Sequence, residues 1–369
     1  MIKILHVNSS QYEGGVAEML VPLVTKFDKG YDVKRLVIDR PKEFFEVTKK
    51  IHNDLHGTKE SFTEEEVKIY KETSEYSDLS KTDGYNVIVI HDPQPLPLVA
   101  AIKESNPKTK IIWRLHVPVD SDSYSWKNLL KDNVNLCDCA VFSMKEYVPD
   151  GITIPYEIFS PCIDIYSPKN LPLRQTFTDY IVKSLGIKKN YVVQISRFDR
   201  LKGVYELIDT YETLAADEKS DYEWILASNL APDDPEGSDI YKDLKKRAKN
   251  RKVKVLLLSN DVSLNKVQVN ALQQGAEVVV HNSIQEGFGL AVTEAMWKRK
   301  LVVTRKVGGL TKQVKHMENG LIYGPEVKLL DAIKDCVNID NEVLKRCVYQ
   351  ARATVLANFT MALGCIFQG

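Results

Sequence analysis

The sequence predicts an α/β protein of two Rossmann-like domains, each a doubly wound parallel sheet, facing one another across a cleft. Three observations lead there. The 369 residues exceed what one small core organises and suit two domains of ordinary size. Short β-branched runs alternate with amphipathic stretches, the pattern of βαβ units with helices on both faces of a parallel sheet. One proline-rich interruption divides that pattern, after which it restarts.

Taken in order, Ile2–Val7 is the first strand candidate and Val16–Phe27 the helix-like stretch that follows it. Arg35–Ile38, Val87–Ile90, Ile111–Leu115 and Ala140–Phe142 are further runs of strand length, with Thr63–Tyr76 and Trp126–Val134 as helical segments between them. The segment from Ser160 to Pro172 carries Pro161, Pro168 and Pro172 and reads as the connection. The second half offers Tyr191–Ile195, Trp224–Ala227, Val253–Leu258, Val278–Val280 and Leu301–Thr304 as strands, and Ala332–Val337 and Glu342–Ala357 as late helices. The expected division is 1–165, a linker at 166–186, a second domain at 187–352, and a C-terminal segment at 353–369 that is a candidate for return to the first domain. No short tandem repeat points to a solenoid.

Composition narrows the function classes. A hydrophobic fraction of 44% with 27% charged residues is that of a soluble globular chain. Fifty basic and fifty acidic residues cancel, so no global field draws the chain to nucleic acid or to anionic membrane. The six cysteines form no C-x-x-C pair, and Cys137-x-Cys139 is too tight for a zinc knuckle. Reduced thiols in a cytoplasmic protein are the expectation. The N-terminus lacks a basic start and cleavage site, and no run approaches roughly 18 apolar residues.

In doubly wound sheets, ligands bind at the carboxyl ends of the strands. The most informative such place is Glu286-Gly287-Phe288-Gly289-Leu290, which follows Val278–Val280 and opens a helix carrying Glu294. Glycines there let backbone N–H groups approach an anion, and the helix N-terminus adds partial positive charge. Glu286 and Glu294 suit sugar and ribose hydroxyls, whose O–H groups carboxylates accept. Spacing alone also fits a glycine turn with two solvated glutamates. A second cluster, Ser196 to Gly203, follows Tyr191–Ile195 and brings Arg197 and Lys202 to the same kind of edge, where two cations can neutralise a diphosphate. In the first half Glu13-Gly14-Gly15 follows the first strand but lacks the third glycine of the dinucleotide fingerprint. His91 and His116 stand at two further strand ends, where a histidine is as readily structural as functional.

These residues together resemble the retaining GT-B glycosyltransferases of the glycogen-synthase-like, group 1 kind. More narrowly, Glu13-Gly14-Gly15-Val16-Ala17-Glu18-Met19-Leu20, the stretch from Glu43 to Lys49, His91-Asp92-Pro93-Gln94-Pro95, Asp233-Asp234-Pro235-Glu236-Gly237 and Thr293-Glu294-Ala295-Met296-Trp297-Lys298 look like the trehalose glycosyl-transferring synthases. The resemblance runs to about Phe359.

The resemblance implies a donor of the UDP-, ADP- or GDP-glucose kind as substrate, a sugar acceptor, and no required cofactor or metal. It implies that Arg197 and Lys202 hold the donor phosphates, that Gly287, Phe288, Gly289 and Leu290 present backbone to the donor, and that Glu294 binds the ribose. Glu286 would hold hydroxyls of the donor sugar, His116 would lie beside that sugar, and Gly14 and Gly15 would form the facing wall. Asp92 and Gln94 are the candidates for the acceptor. Asp120-Ser121-Asp122 matches the D-x-D phrase of the other glycosyltransferase fold but reads as a solvated loop, and His52-x-x-x-His56 lacks an evident third ligand for a metal. Arg299 and Leu301 depart from the glycine and proline common in the family after the signature helix.

The expected function is retaining transfer of glucose from a nucleotide-sugar to a sugar, glucose giving trehalose. The alternatives are a trehalose phosphorylase using sugar phosphate and a nucleotide-sugar-binding protein without turnover; an epimerase would need further acid–base groups that nothing here compels. Small-molecule sugars are the expected partners, with neither nucleic acid nor membrane, and a homodimer is among the assemblies the sequence admits.

Overall fold

The computed structural model describes residues 1–9, 14–26, 30–72, 78–188, 190–230 and 235–361. The chain divides into two compact units, Met1–Pro161 and Cys162–Gly369. In the first unit the elements run β1 (Ile2–Asn8), α1 (Gly14–Lys26), β2 (Tyr31–Val37), α2 (Lys42–Leu55), α3 (Glu64–Lys71), β3 (Val87–His91), α4 (Leu98–Ser105), β4 (Lys110–Arg114), α5 (Lys131–Asn135), β5 (Cys139–Phe142) and β6 (Tyr156–Ile158). In the second they run α6 (Gln175–Ser184), β7 (Tyr191–Ile195), α7 (Val204–Ala215), β8 (Glu223–Ser228), α8 (Pro235–Arg247), β9 (Val253–Leu257), α9 (Val262–Gly275), β10 (Val278–His281), α10 (Leu290–Trp297), β11 (Leu301–Arg305), α11 (Leu310–Gln313), β12 (Leu321–Tyr323), α12 (Leu329–Val337) and α13 (Asn341–Asn358).

Each unit is built on one six-stranded sheet among the described residues, in the orders β2-β1-β3-β4-β5-β6 and β12-β11-β10-β7-β8-β9. Neighbouring strands pair in parallel throughout, from β1–β2 and β1–β3 to β7–β8 and β10–β7. The strand order reverses between β1 and β3 in the first sheet and between β7 and β10 in the second. In open α/β sheets such a reversal leaves a crevice at the strands' carboxyl ends, because the connecting helices leave towards opposite faces.

The composition of the strands explains why both faces are covered. Every residue of β7, β8 and β10 is buried, so these runs have no solvent side to make polar. Alternation then divides the side chains. Val192, Val278 and Val280 pack with α7, α8 and α12 through Leu207, Leu244 and Ile333. Val193, Val279 and Val302 pack on the other side with α6, α9 and α10 through Val182, Leu272 and Met296. The first unit's main cluster joins Leu5, Val7, Ile88, Ile90, Ile111 and Trp113 to Phe44 and Ile51 of α2 and Ile102 of α4. Fully burying a side chain of that size contributes roughly 1.5–3 kcal/mol.

Several sequence expectations meet the structure differently. Residues 166–186, expected as a linker, contain α6, whose Thr178, Ile181 and Val182 are buried in the second unit. The described part of 353–369 also lies in the second unit: Val355 and Phe359 join its apolar cluster, and Thr360 bridges Ile163. The short strands β6 and β12 escaped the sequence reading because three residues are too few to show a period. Arg299 takes φ +58, the left-handed conformation that glycine adopts without steric cost. No helix among the described residues is long and apolar enough to cross a membrane.

Candidate functional site

In the second unit the carboxyl ends of β7 and β10 are stitched together by amide chemistry. Gln194, buried on β7, accepts from the Asn282 backbone N–H at 2.8 Å and donates through Nε2 to the Lys202 carbonyl at 3.0 Å. The Ile284 N–H closes the loop on the Leu201 carbonyl at 2.7 Å. Asp199 caps the short turn Arg200–Lys202 by accepting from Leu201 N–H at 2.8 Å. Gly203 then starts α7 at φ +61, where a Cβ would collide with the Asn282 carbonyl. The sequence therefore needs glycine at this close approach of backbone to backbone.

This stitching places Lys202 against Glu286. The ammonium donates to Glu286 Oε2 at 2.8 Å, and the same oxygen lies 2.6 Å from His281 Nε2 and 3.0 Å from Ser283 Oγ. Burial alone would raise the Glu286 carboxyl, but Lys202 and the His281 hydrogen bond outweigh it and hold the group well below the usual carboxylate range. Arg197 stands beside them on the same loop, 45% exposed, with its guanidinium 3.4 Å from Asp199 Oδ2. At this strand-end pair two cations on the β7 arm and an ionised carboxylate on the β10 arm can meet a polar, negatively charged ligand.

The turn after Glu286 is shaped by two glycines. Gly289 caps α10 at φ +89, and at Gly309 a Cβ would come within 2.5 Å of the Gly287 oxygen and the Phe288 Cα. Gln313 donates to the Phe288 carbonyl and accepts from Thr293 Oγ1 at 2.6 Å, fixing the turn against the helix. Leu290 begins α10, whose first turn carries no acidic side chain to neutralise the helix's positive end. Glu294 lies within α10, 2% exposed, and its Oε1 meets Lys169 at 3.1 Å. Lys169 belongs to the segment after Ile163, where Asn170 receives Trp297 Nε1 on its carbonyl and Lys298 on its side chain. The structure thus brings Lys202 to Glu286 and gives Glu294 a different cation.

In the first unit the reversal lies between β1 and β3. Gly14 and Gly15 begin α1, while Glu13 lies outside the described residues, as do Asp233 and Asp234 of the second unit. Asp92 follows β3 at φ +62, and its Oδ1 accepts from the His116 backbone N–H at 2.9 Å. The Asp92 N–H donates to the Arg114 carbonyl, and Trp113 Nε1 donates to the Asp92 carbonyl at 3.1 Å. The turn after β3 is in this way tied to the end of β4. Gln94 lies close by in sequence, and its buried Oε1 has no hydrogen-bond partner among the described residues. His6, His91 and His116 form a row, at 2.9 Å between His6 Nδ1 and His91 Nε2 and 3.1 Å between His91 Nδ1 and His116 Nε2.

Burial pushes the Asp92 carboxyl from 3.8 up to about 7, with the His116 N–H and Arg114 opposing the shift. Because the folded value lies above the unfolded one, the favourable contribution is complete below about pH 4 and is lost as pH rises towards 7. Asp92→Asn keeps the acceptor oxygen and removes the charge. It should therefore be more stable than the parent at pH 8 by on the order of a few kcal/mol, with the advantage shrinking as pH falls below about 7 and nearly gone by about pH 4. Denaturant unfolding of both proteins at the two pH values checks this, and a pH-independent difference would refute it.

Sequence reasoning missed His6, His281, Ser283, Gln194 and Lys169. His281 was within its reach, since it ends a strand as His91 does. Gln194 and Lys169 gave no signal, because a buried amide in a strand and a lysine in a proline-rich segment have no motif. The sequence-matched D-x-D is a surface turn: Asp120 Oδ1 accepts from Asp122 N–H, and Asp122 pairs with Lys127 at 2.7 Å. His52 and His56 lie against each other at the end of α2, with ring centroids 4.6 Å apart and planes tilted by 39°.

Residues 6–149 match the family model described as trehalose synthase, N-terminal domain, and residues 178–354 match that described as glycosyl transferases group 1. The chain is 37% identical over 330 residues to the trehalose synthase of Thermococcus litoralis, covering 86% of this chain and 77% of that one. It is 35% identical over 367 residues to the trehalose synthase of Pyrococcus horikoshii, covering 96% and 86%. Among solved structures, the UDP-forming α,α-trehalose-phosphate synthase of Burkholderia xenovorans, in complex with glucose-6-phosphate, superposes with a TM-score of 0.78 at 13% identity, over 96% of this chain and 97% of that one. That likeness gives the two-sheet fold its GT-B class.

Proposed function

This chain belongs to the group 1 glycosyltransferases alongside the trehalose synthases, and from that premise we propose that it moves glucose, with retention, from a nucleotide-sugar to a sugar acceptor, glucose giving trehalose. The observation that carries this reading is the Lys202–Glu286 pair at the β7–β10 reversal, beside Arg197. A nucleotide-sugar presents a diphosphate next to a ring of hydroxyls, and a cation paired to an ionised carboxylate, with a second cation on the same loop, matches that sequence of groups.

Arg197 and Lys202 are assigned to the diphosphate, Glu286 to hydroxyls of the transferred sugar, and Gly287, Phe288, Gly289 and Leu290 to backbone contact with the donor. Glu294 is assigned to the ribose; its pairing with Lys169 means that ribose hydroxyls would share or displace that cation. In the first unit His116 is assigned to the transferred sugar, Gly14 and Gly15 to close backbone approach, and Asp92 and Gln94 to the acceptor. The bond from the sugar's anomeric carbon to the phosphate oxygen breaks as the acceptor oxygen bonds that carbon on the same face. The acceptor's hydroxyl proton passes to the departing phosphate. Lys202 and Arg197 meet the charge as it develops, so catalysis rests on positioning and electrostatic stabilisation.

The deciding experiment offers UDP-, ADP- and GDP-glucose with free glucose and resolves the products. α-Linked trehalose released with equimolar nucleoside diphosphate supports the reading and identifies the base. Glucose phosphate formed from trehalose and inorganic phosphate, without activity from any nucleotide donor, would replace it with a phosphorylase. Nucleotide-sugar binding without product from any acceptor sugar would replace it with a binding protein.

A further inference from the structure

Register and alternation place His6, His91 and His116 on one face of the first unit's sheet. His6 pairs with Val89 on β3, and His91 pairs with Arg114 on β4. His91 is two residues beyond Val89 and His116 two beyond Arg114, so each ring stands one pleat nearer the carboxyl edge than the last. Leu5, Val7, Ile88, Ile90, Ile111 and Trp113 point to the opposite face and fill the main apolar cluster. The row is therefore a diagonal that climbs from the interior of the sheet to the edge where ligands bind.

Arg35 pairs with His6 on one flank and Arg114 precedes His116 on the other, and burial together with these cations disfavours a protonated ring anywhere in the row. A neutral imidazole has one N–H and one lone pair. If His6 Nδ1 donates, His91 Nε2 must accept, His91 Nδ1 must donate, and His116 Nε2 must accept. That leaves the proton on His116 Nδ1. Reversing the first bond reverses all of them and leaves a lone pair there. His116 Nδ1 itself is shut off from solvent and has no partner among the described residues.

We propose that His6 and His91 are positioning residues that set, through a shared tautomer, whether His116 Nδ1 donates to or accepts from the ligand at the strand edge. Taking that ligand to be a sugar hydroxyl rests on the proposed function; the coupling of the tautomers does not. His91 touches both neighbours, whereas His6 acts on His116 only through His91.

Ring 15N shifts of the three histidines in the ligand-free protein test the coupling directly, whatever reaction the protein catalyses. All three should carry the same fraction of Nδ1–H form; opposite tautomers in adjacent rings would overturn the proposal. In His6→Leu the His116 fraction should move although the two residues share no contact, and in His6→Asn, whose amide lies where Nδ1 was, it should return towards the parent value. An unchanged His116 in a folded His6→Leu would overturn it equally. In the product assay His6→Leu should lower kcat by about tenfold with donor KM retained, the scale on which outer partners of a functional histidine act. A change in KM alone would overturn the positioning role.

Discussion

Lys202→Ala should lower turnover by about 100- to 1000-fold while leaving the protein folded, the effect expected when one fixed charge is removed from a site where negative charge develops. The argument starts from where the ammonium is held. The αL turn at Gly203 and the Gln194–Lys202 hydrogen bond fix the backbone, so the side chain is only 16% exposed and aimed at Glu286. Such a cation needs little reorganisation as a diphosphate departs. Its removal leaves Glu286 with His281 and Ser283 and should cost about 1–3 kcal/mol of stability. Lys202→Arg retains charge with different geometry and should fall between. Single-turnover rates at saturating donor separate the step from binding. A rate within a factor of two of the parent in Lys202→Ala would remove Lys202 from the chemistry.

The fold was legible because buried parallel strands are written as apolar runs, as in Tyr191–Ile195 and Val278–Val280, and because glycine at positions 203 and 289 stands at strand-to-helix turns where the structure shows close approaches that other residues cannot make. Arg197, Lys202 and Glu286 could be placed at strand ends by the same logic. What the sequence left out was pairing. Nothing in the spacing says that Glu286 faces Lys202 while Glu294 faces Lys169, because those pairs join residues far apart in the chain that only the packed fold brings together; the His281–Glu286 contact is local but depends on how the turn between them bends. The histidine row was half visible for the same reason: His91 and His116 end strands, but His6 sits inside one, and its role depends on the register of β1 with β3.

Glu286→Gln should be as damaging to activity as the loss of Lys202, and it should also lower stability. One carboxylate oxygen receives Lys202, His281 and Ser283 together, which an ionised group can accept and an amide cannot reproduce. If the glutamine turns its NH2 towards Lys202, a donor meets a donor; if it turns its oxygen there, the full negative charge is still gone. Leaving the largely buried ammonium uncompensated should cost roughly 3 kcal/mol near neutral pH. Because the Glu286 carboxyl is held well below its ordinary value, its contribution is present above about pH 4.5 and is lost only as pH falls through the depressed value. The stability gap between parent and Glu286→Gln should therefore persist across the neutral range and narrow only in strong acid. Turnover should fall by about 100-fold or more if Glu286 both aims Lys202 and meets sugar hydroxyls. A double-mutant cycle with Lys202→Ala decides between one unit and two: non-additive losses mean that the pair acts as one element of the site. Additive losses would mean that the carboxylate and the cation serve the ligand independently, and the ion pair seen between them would then be structural.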